Sequence, residues 1–210
     1  VRIEHRSAEV YPADTFTPPR GQQLNVPARI SLARVFPLPA QPARAFEARL
    51  RELDTYDLVL GQTDSERVFA LITGYIRDRK KDVTAGLVDA VSWLAENVPV
   101  YALNILLCMG TQMWALRYPE THQLFMLDRR RDGETDFDMA TSRIRAQIDT
   151  PVEHSSVLFA TEPMDDDPRW CLLDPGELVY VDTDLEISRT LVLPDPPKTL
   201  VRRDDRSEEH

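Results

Sequence analysis

Cysteine is scarce in this chain: Cys108 and Cys171 are the only two in 210 residues. That is too few for a disulfide scaffold at this length. Neither cysteine stands in a CxxC pattern, and no HxxxH spacing accompanies them, so a zinc site is excluded as well. No apolar run approaches the roughly 20 residues that a membrane helix needs. No signal peptide opens the chain, which starts Val1-Arg2-Ile3-Glu4-His5. An excess of positive charge is missing too. Twenty-five basic residues face 35 acidic ones, for a net charge of −10. A general nucleic-acid binder would carry a basic face, so no nucleic-acid partner is expected. What remains is 42% hydrophobic and 29% charged, enough to bury a core. The setting these absences point to is soluble, reducing and cytoplasmic, away from membranes. A primary translation product begins with Met and this chain begins with Val1, so a fragment or a processed product is expected.

Composition changes along the chain. Residues 1–44 are rich in proline (Pro12, Pro18, Pro19, Pro27, Pro37, Pro39, Pro42) and arginine, and contain no lysine. Prolines at this density interrupt helical and alternating patterns alike. The segment reads as an irregular leader with one short strand near Ala28–Val35. The switch in character near residue 45 is consistent with two unrelated pieces joined there. Residues 45–193 read as the globular part, and residues 194–210 as a disordered tail.

Within the globular part, Phe46, Leu50 and Leu53 recur at helical spacing. Thr63-Asp64-Ser65-Glu66 has the form of a capping box, and Val68, Phe69, Leu71, Ile72, Tyr75 and Ile76 follow, so a helix is expected from Asp64 to Arg79. A further helix starts near Thr84 and stops before Pro99. Strands then follow at Val100–Cys108, Gln112–Arg117, Gln123–Leu127, Ser156–Thr161, Glu177–Asp182 and Leu185–Val192. Arg129–His154 reads as a long charged loop. Helices followed by antiparallel strands make an α+β domain.

The sharpest local feature is Gly61-Gln62-Thr63-Asp64-Ser65-Glu66. A helix cap accounts for it in full. The same Asp64 carboxylate, held near a helix start, is also suited to a substrate ammonium group, and both readings stay open at this point.

Gly61–Glu66, Tyr101-Ala-Leu-Asn-Ile-Leu-Leu, Met113-Trp-Ala-Leu-Arg-Tyr, Leu158-Phe-Ala-Thr-Glu-Pro-Met-Asp-Asp-Asp-Pro-Arg-Trp and Asp174-Pro-Gly-Glu-Leu-Val-Tyr-Val-Asp occur in that order. As an ordered set they resemble the class II glutamine amidotransferases, in particular the small stand-alone bacterial type that includes the γ-glutamyl hydrolase of ergothioneine biosynthesis. The resemblance runs from about Ala45 to Val192. It implies part of an αββα sandwich of the N-terminal-nucleophile type. It also implies hydrolysis of glutamine or a γ-glutamyl amide through an N-terminal cysteine whose α-amino group is the base, with no cofactor. By the same resemblance Asp64 binds the substrate α-ammonium. Only Asp64 carries over. The position of the nucleophile holds Val1, and Arg34–Pro42 contains nothing like the family's His-Asn-Gly stretch. No catalytic residue is assigned, and no glutaminase activity is expected. A non-catalytic binding or interaction protein on the same scaffold, or a fragment without function, are the other readings.

Elsewhere the simpler interpretation is preferred. Cys108 and Cys171 read as packing residues. Glu162 with Asp165, Asp166 and Asp167 reads as a structural turn rather than a metal site, and no metal is expected. Arg129-Arg130-Arg131 reads as a solvated loop, His122 and His154 as surface positions, and Trp93, Trp114 and Trp170 as core or rim. Half of a two-sheet sandwich would expose Leu103, Ile105 and Leu107 on an uncovered sheet face, from which self-association is expected.

Overall fold

The computed structural model describes residues 2–5, 29–32, 40–61, 63–130, 138–140, 144–147 and 156–202. Three helices form one layer: α1 (Ala40–Glu52), α2 (Asp64–Asp78) and α3 (Val83–Asn97). α2 starts at its capping box, and α3 starts where Asp82 Oδ1 accepts from the Ala85 amide at 2.9 Å. α2 and α3 approach backbone to backbone. A Cβ on Gly86 would lie 2.6 Å from the Ile76 Cα, so only glycine permits that spacing.

The helices rest on a five-stranded antiparallel sheet in the order β11–β10–β4–β3–β2. Its strands are β2 (Arg29–Leu32), β3 (Leu103–Met109), β4 (Gln112–Tyr118), β10 (Glu177–Val181) and β11 (Ile187–Leu191). One face of this sheet supplies Leu103, Ile105, Leu107, Trp114, Leu116, Tyr118 and Leu178, which pack against Phe46, Leu50, Leu71, Leu87 and Leu94 of the helices. Each such aliphatic side chain contributes about 1.5–3 kcal/mol when fully buried. The other face carries Leu106, Met113, Ala115, Val179 and Val181. It meets Leu124, Met126, Val157 and Phe159 of a three-stranded sheet, β8–β5–β9. Those strands are β5 (Phe125–Asp128), β8 (Val157–Ala160) and β9 (Cys171–Leu172). The layers therefore run helix, sheet, sheet. A third sheet pairs β1 (Arg2–His5) with β7 (Ile144–Gln147), and β7 with β6 (Asp138–Ala140).

Several expectations change. Leu103, Ile105 and Leu107 do not line an uncovered face. They are 0%, 0% and 2% exposed beneath the helices, because Phe46 and the α2 and α3 stripes supply the apolar surface that covers them. The leader provides the short strand anticipated near residues 28–35, as β2, which pairs with β3 at the sheet edge. α1 already begins at Ala40, since proline is tolerated in a first helical turn and Pro42 falls there. β6 and β7 replace part of the expected long loop. Residues 195–202 are not a free tail: Lys198 donates to the Ala95 carbonyl at 2.9 Å, and Val100 bridges Leu200. Val100 is thereby drawn out of β3. Residues 203–210 lie outside the described residues.

Candidate functional site

Thr63 is the N-cap of α2. Its hydroxyl accepts from the Glu66 amide at 3.3 Å. The Glu66 carboxylate reaches back to the amides of Gly61, at 3.0 and 3.1 Å, and Thr63, at 3.4 Å. A Cβ on Gly61 would come within 2.7 Å of that carboxylate, so glycine is what lets the chain fold so closely over the helix start. Glu66 is thus spent on the turn, and Asp64 is not. Among the described residues the Asp64 side chain has no hydrogen-bond partner, although it is half-buried. Burial pushes its carboxyl up to about 6, with the Arg67 guanidinium pulling the other way. An anion in the first turn also suits the helix macrodipole. The result is a fixed carboxylate whose two oxygens accept no hydrogen bond from the described residues, which is the chemistry an ammonium group needs.

The other sequence candidates do not gather here. Asp165 and Asp167 of the acidic run are ion-paired with Arg129, at 2.7 and 3.3 Å, and Asp167 also with Arg169, at 2.6 Å. The Arg169 contact holds the Asp167 carboxyl well below the usual carboxylate range. Asp165 further accepts from the Trp170 indole at 2.7 Å. Arg129 is 8% exposed, so the arginine expected in a solvated loop instead pins the acidic turn from inside. Arg130 binds Asp128, and Arg131 and His154 lie outside the described residues. His122 packs edge-on against Tyr101 rather than standing at the surface. Trp114 donates to the Thr84 hydroxyl at 2.8 Å and Trp93 packs on Phe46. Cys108 lies on β3. Cys171 lies on β9, where the Arg189 guanidinium stands 3.8 Å from its sulfur.

Arg117 was not singled out in the sequence reading. Arg117, 6% exposed, donates to the carbonyls of Glu120, His122 and Leu173 at 3.1, 2.7 and 2.6 Å. Burial lowers its pKa. It ties the end of β4 to the turn entering β10. The signal available was a charge at an inward position of an otherwise apolar strand.

A family model described as glutamine amidotransferases class-II matches residues 45–200. A second, described as Nucleoporin2, the Nup98-96 autopeptidase S59, matches residues 1–63. No curated protein matches. Among solved structures, a protein of Pseudomonas aeruginosa PA01 described as a predicted glutamine amidotransferase is 19% identical over 77% of this chain and 58% of that one, with a TM-score of 0.49. A glutamine aminotransferase class-II domain protein of Silicibacter pomeroyi is 16% identical over 78% of this chain and 66% of that one, with a TM-score of 0.50. Glutamine phosphoribosylpyrophosphate amidotransferase from B. subtilis is 12% identical over 85% of this chain and 32% of that one, also with a TM-score of 0.50. The chain spans 58% of the first of these and 32% of the last. The α+β arrangement of helices on stacked antiparallel sheets agrees with the second and third. With the matching model spanning more than half of its residues, the chain belongs to the class II glutamine amidotransferase family.

Proposed function

We propose that this chain provides the ammonium-recognition side of a class II amidotransferase-type site, and that Asp64 binds the α-ammonium of glutamine or a γ-glutamyl compound. The observation that carries the reading is the half-buried Asp64 carboxylate. It is held on a rigid capped turn and has no hydrogen-bond partner among the described residues. A charge-assisted bond to an ammonium group contributes about 1.5–3 kcal/mol, enough to orient a substrate but too little to hold it alone.

The same proposal holds that these 210 residues bind without cleaving. Thiol-based amide hydrolysis needs an activated sulfur together with donors aimed at the developing oxyanion. The Cys171 thiol donates to the carbonyl of its own neighbour Leu172, and the Arg189 guanidinium beside it is paired with Glu177. Cys108 sits within the five-stranded sheet, between β4 and β2. A binding role on the amidotransferase scaffold is thus the functional form the geometry favours, with Arg29–Leu32 of the N-terminal segment paired into its five-stranded sheet. No helix among the described residues is long and apolar enough to cross a membrane. A reducing, cytoplasmic setting is supported by two cysteines outside any disulfide.

The test is to incubate the purified chain with glutamine and with a γ-glutamyl thioether and to follow glutamate. No release above background is expected. Release that disappears in Cys108→Ala or Cys171→Ala would overturn the non-catalytic part of the proposal.

A further inference from the structure

We infer that the edge of β3 is a strand-docking surface: the N-terminal segment fills it with Arg29–Leu32, and when that strand is withheld the β3 of a second copy takes its place.

The composition of β3 is the starting point. Its seven residues, Leu103-Asn104-Ile105-Leu106-Leu107-Cys108-Met109, include no charge, no proline and no glycine. Its two faces are already covered, Leu103, Ile105 and Leu107 by the helices and Leu106 by the second sheet, so further pairing can only run along an edge. An apolar, uncharged strand with a free edge pairs with an extended chain that reaches it, another copy included. On one side β4 matches β3 over its full length, from Leu103↔Tyr118 to Met109↔Gln112. On the other side β2 matches it from Ile105 to Cys108.

The strand that fills this edge differs in origin from those it joins. β3, β4, β10 and β11 lie within the stretch matched by the amidotransferase model, residues 45–200, whereas Arg29–Leu32 lies outside it and within the other match, residues 1–63. The edge therefore accepts a strand that the amidotransferase part does not itself supply. β2 also has the features of a blunted edge. It is four residues long and stands last in the sheet, with Pro27 before it and Pro37 and Pro39 after it. Short strands and nearby prolines are means by which natural sheets stop pairing from continuing. β2 thus replaces an apolar edge with a guarded one.

A second copy suits the unguarded edge. In an antiparallel pair with its two-fold axis at Leu106, Ile105 lies opposite Leu107, Asn104 opposite Cys108, and Leu103 opposite Met109. No charges meet, and apolar cross-strand pairs of this kind stabilise a sheet. The same patch serves both partners, which closes the assembly at a dimer.

The experiment uses the full chain with proline placed in β2. Consecutive residues of an antiparallel strand turn their N–H groups to opposite sides, so one of Ile30→Pro and Ser31→Pro removes a donor to β3 and the other falls on the outer side. Both are made, and hydrogen exchange of the β3 amides is followed at about 5 and 500 μM. Protection at both concentrations is expected in wild type and in the outer-side variant. In the other variant the β3 amides that face β2 should exchange at least about tenfold faster at the low concentration and regain protection at the high one. The β11 amides, at the opposite end of the sheet, should behave as in wild type. If the proline variants lose the protection of α2 and α3 as well, the double variant Ile30→Gly with Ser31→Gly, which weakens β2 without a ring, makes the same comparison. Unchanged protection of β3 overturns the inference, and so does protection that is lost and not regained at the high concentration.

Discussion

Replacing Asp64 by asparagine should stabilise the free protein while removing its recognition function. Asparagine is nearly isosteric and cannot ionise. The Asp64 carboxyl is raised from 3.8 to about 6 by burial. The sign follows from linkage. A group whose folded pKa lies above its unfolded value contributes stability below the unfolded pKa, and that contribution is lost as pH rises through the folded one. Between about pH 4 and 6 the unfolded chain has released the proton and the folded chain has not, so wild-type stability falls with rising pH; above 6 the loss is complete. Taken at face value the separation amounts to about 3 kcal/mol. Solvent screening of a half-exposed carboxylate brings this to about 1.5 kcal/mol. Losing the favourable anion in the first turn of α2 takes back about 0.5 kcal/mol. Asp64→Asn should therefore gain about 1 kcal/mol at pH 7.5 and raise Tm by about 2–4 °C. The gain should shrink to nothing below about pH 4. Urea unfolding of both proteins at pH 4, 6 and 7.5 measures it. An Asp64→Asn protein no more stable than wild type at pH 7.5, or a difference that does not depend on pH, would refute the reasoning.

Three further outcomes follow from the same structure. Thr63→Ala removes the N-cap hydroxyl of α2 and should cost about 1 kcal/mol in urea unfolding, with the Glu66 amide losing protection in hydrogen exchange. Arg129→Met removes the buried guanidinium shared by Asp165 and Asp167; since Asp167 keeps Arg169 and Asp165 keeps the Trp170 indole, the cost in urea unfolding should be about 1.5–3 kcal/mol. β11 is an edge strand of the five-stranded sheet, exposed from Ser188 to Leu191, and self-association through that edge at micromolar concentration is the expected result in light scattering; a stable monomer would remove that part of the account.

The helices and the central strands were legible because their apolar spacing is unambiguous. The α2 stripe from Val68 to Tyr75 and the alternation through Leu103, Ile105 and Leu107 both carry a clear period. What the sequence could not say was which face of β3 meets which layer. Alternation assigns residues to opposite faces but does not name their partners, and both faces of that strand are apolar. β9 escaped because two residues, Cys171 and Leu172, carry no period at all. The docked segment at Val100 and Leu200 escaped because a single bridge and a few backbone bonds leave no side-chain pattern. At the site, Asp64 was visible through the capping box, whose spacing is itself a local rule. Arg117 and Arg129 were not, because backbone carbonyls of the turn after β4 and of Leu173, and the carboxylate of Asp165, leave no pattern around the arginines they satisfy.

The account stands most directly on whether Asp64 receives an ammonium group. Titrating glutamine into the ¹⁵N-labelled chain at pH 7.5, and following the amides of Asp64, Ser65 and Arg67 by NMR, measures this. Saturable shifts with a half-point in the millimolar range or weaker, absent in Asp64→Asn, are predicted; shifts that persist in Asp64→Asn, or none at the start of α2, would contradict it.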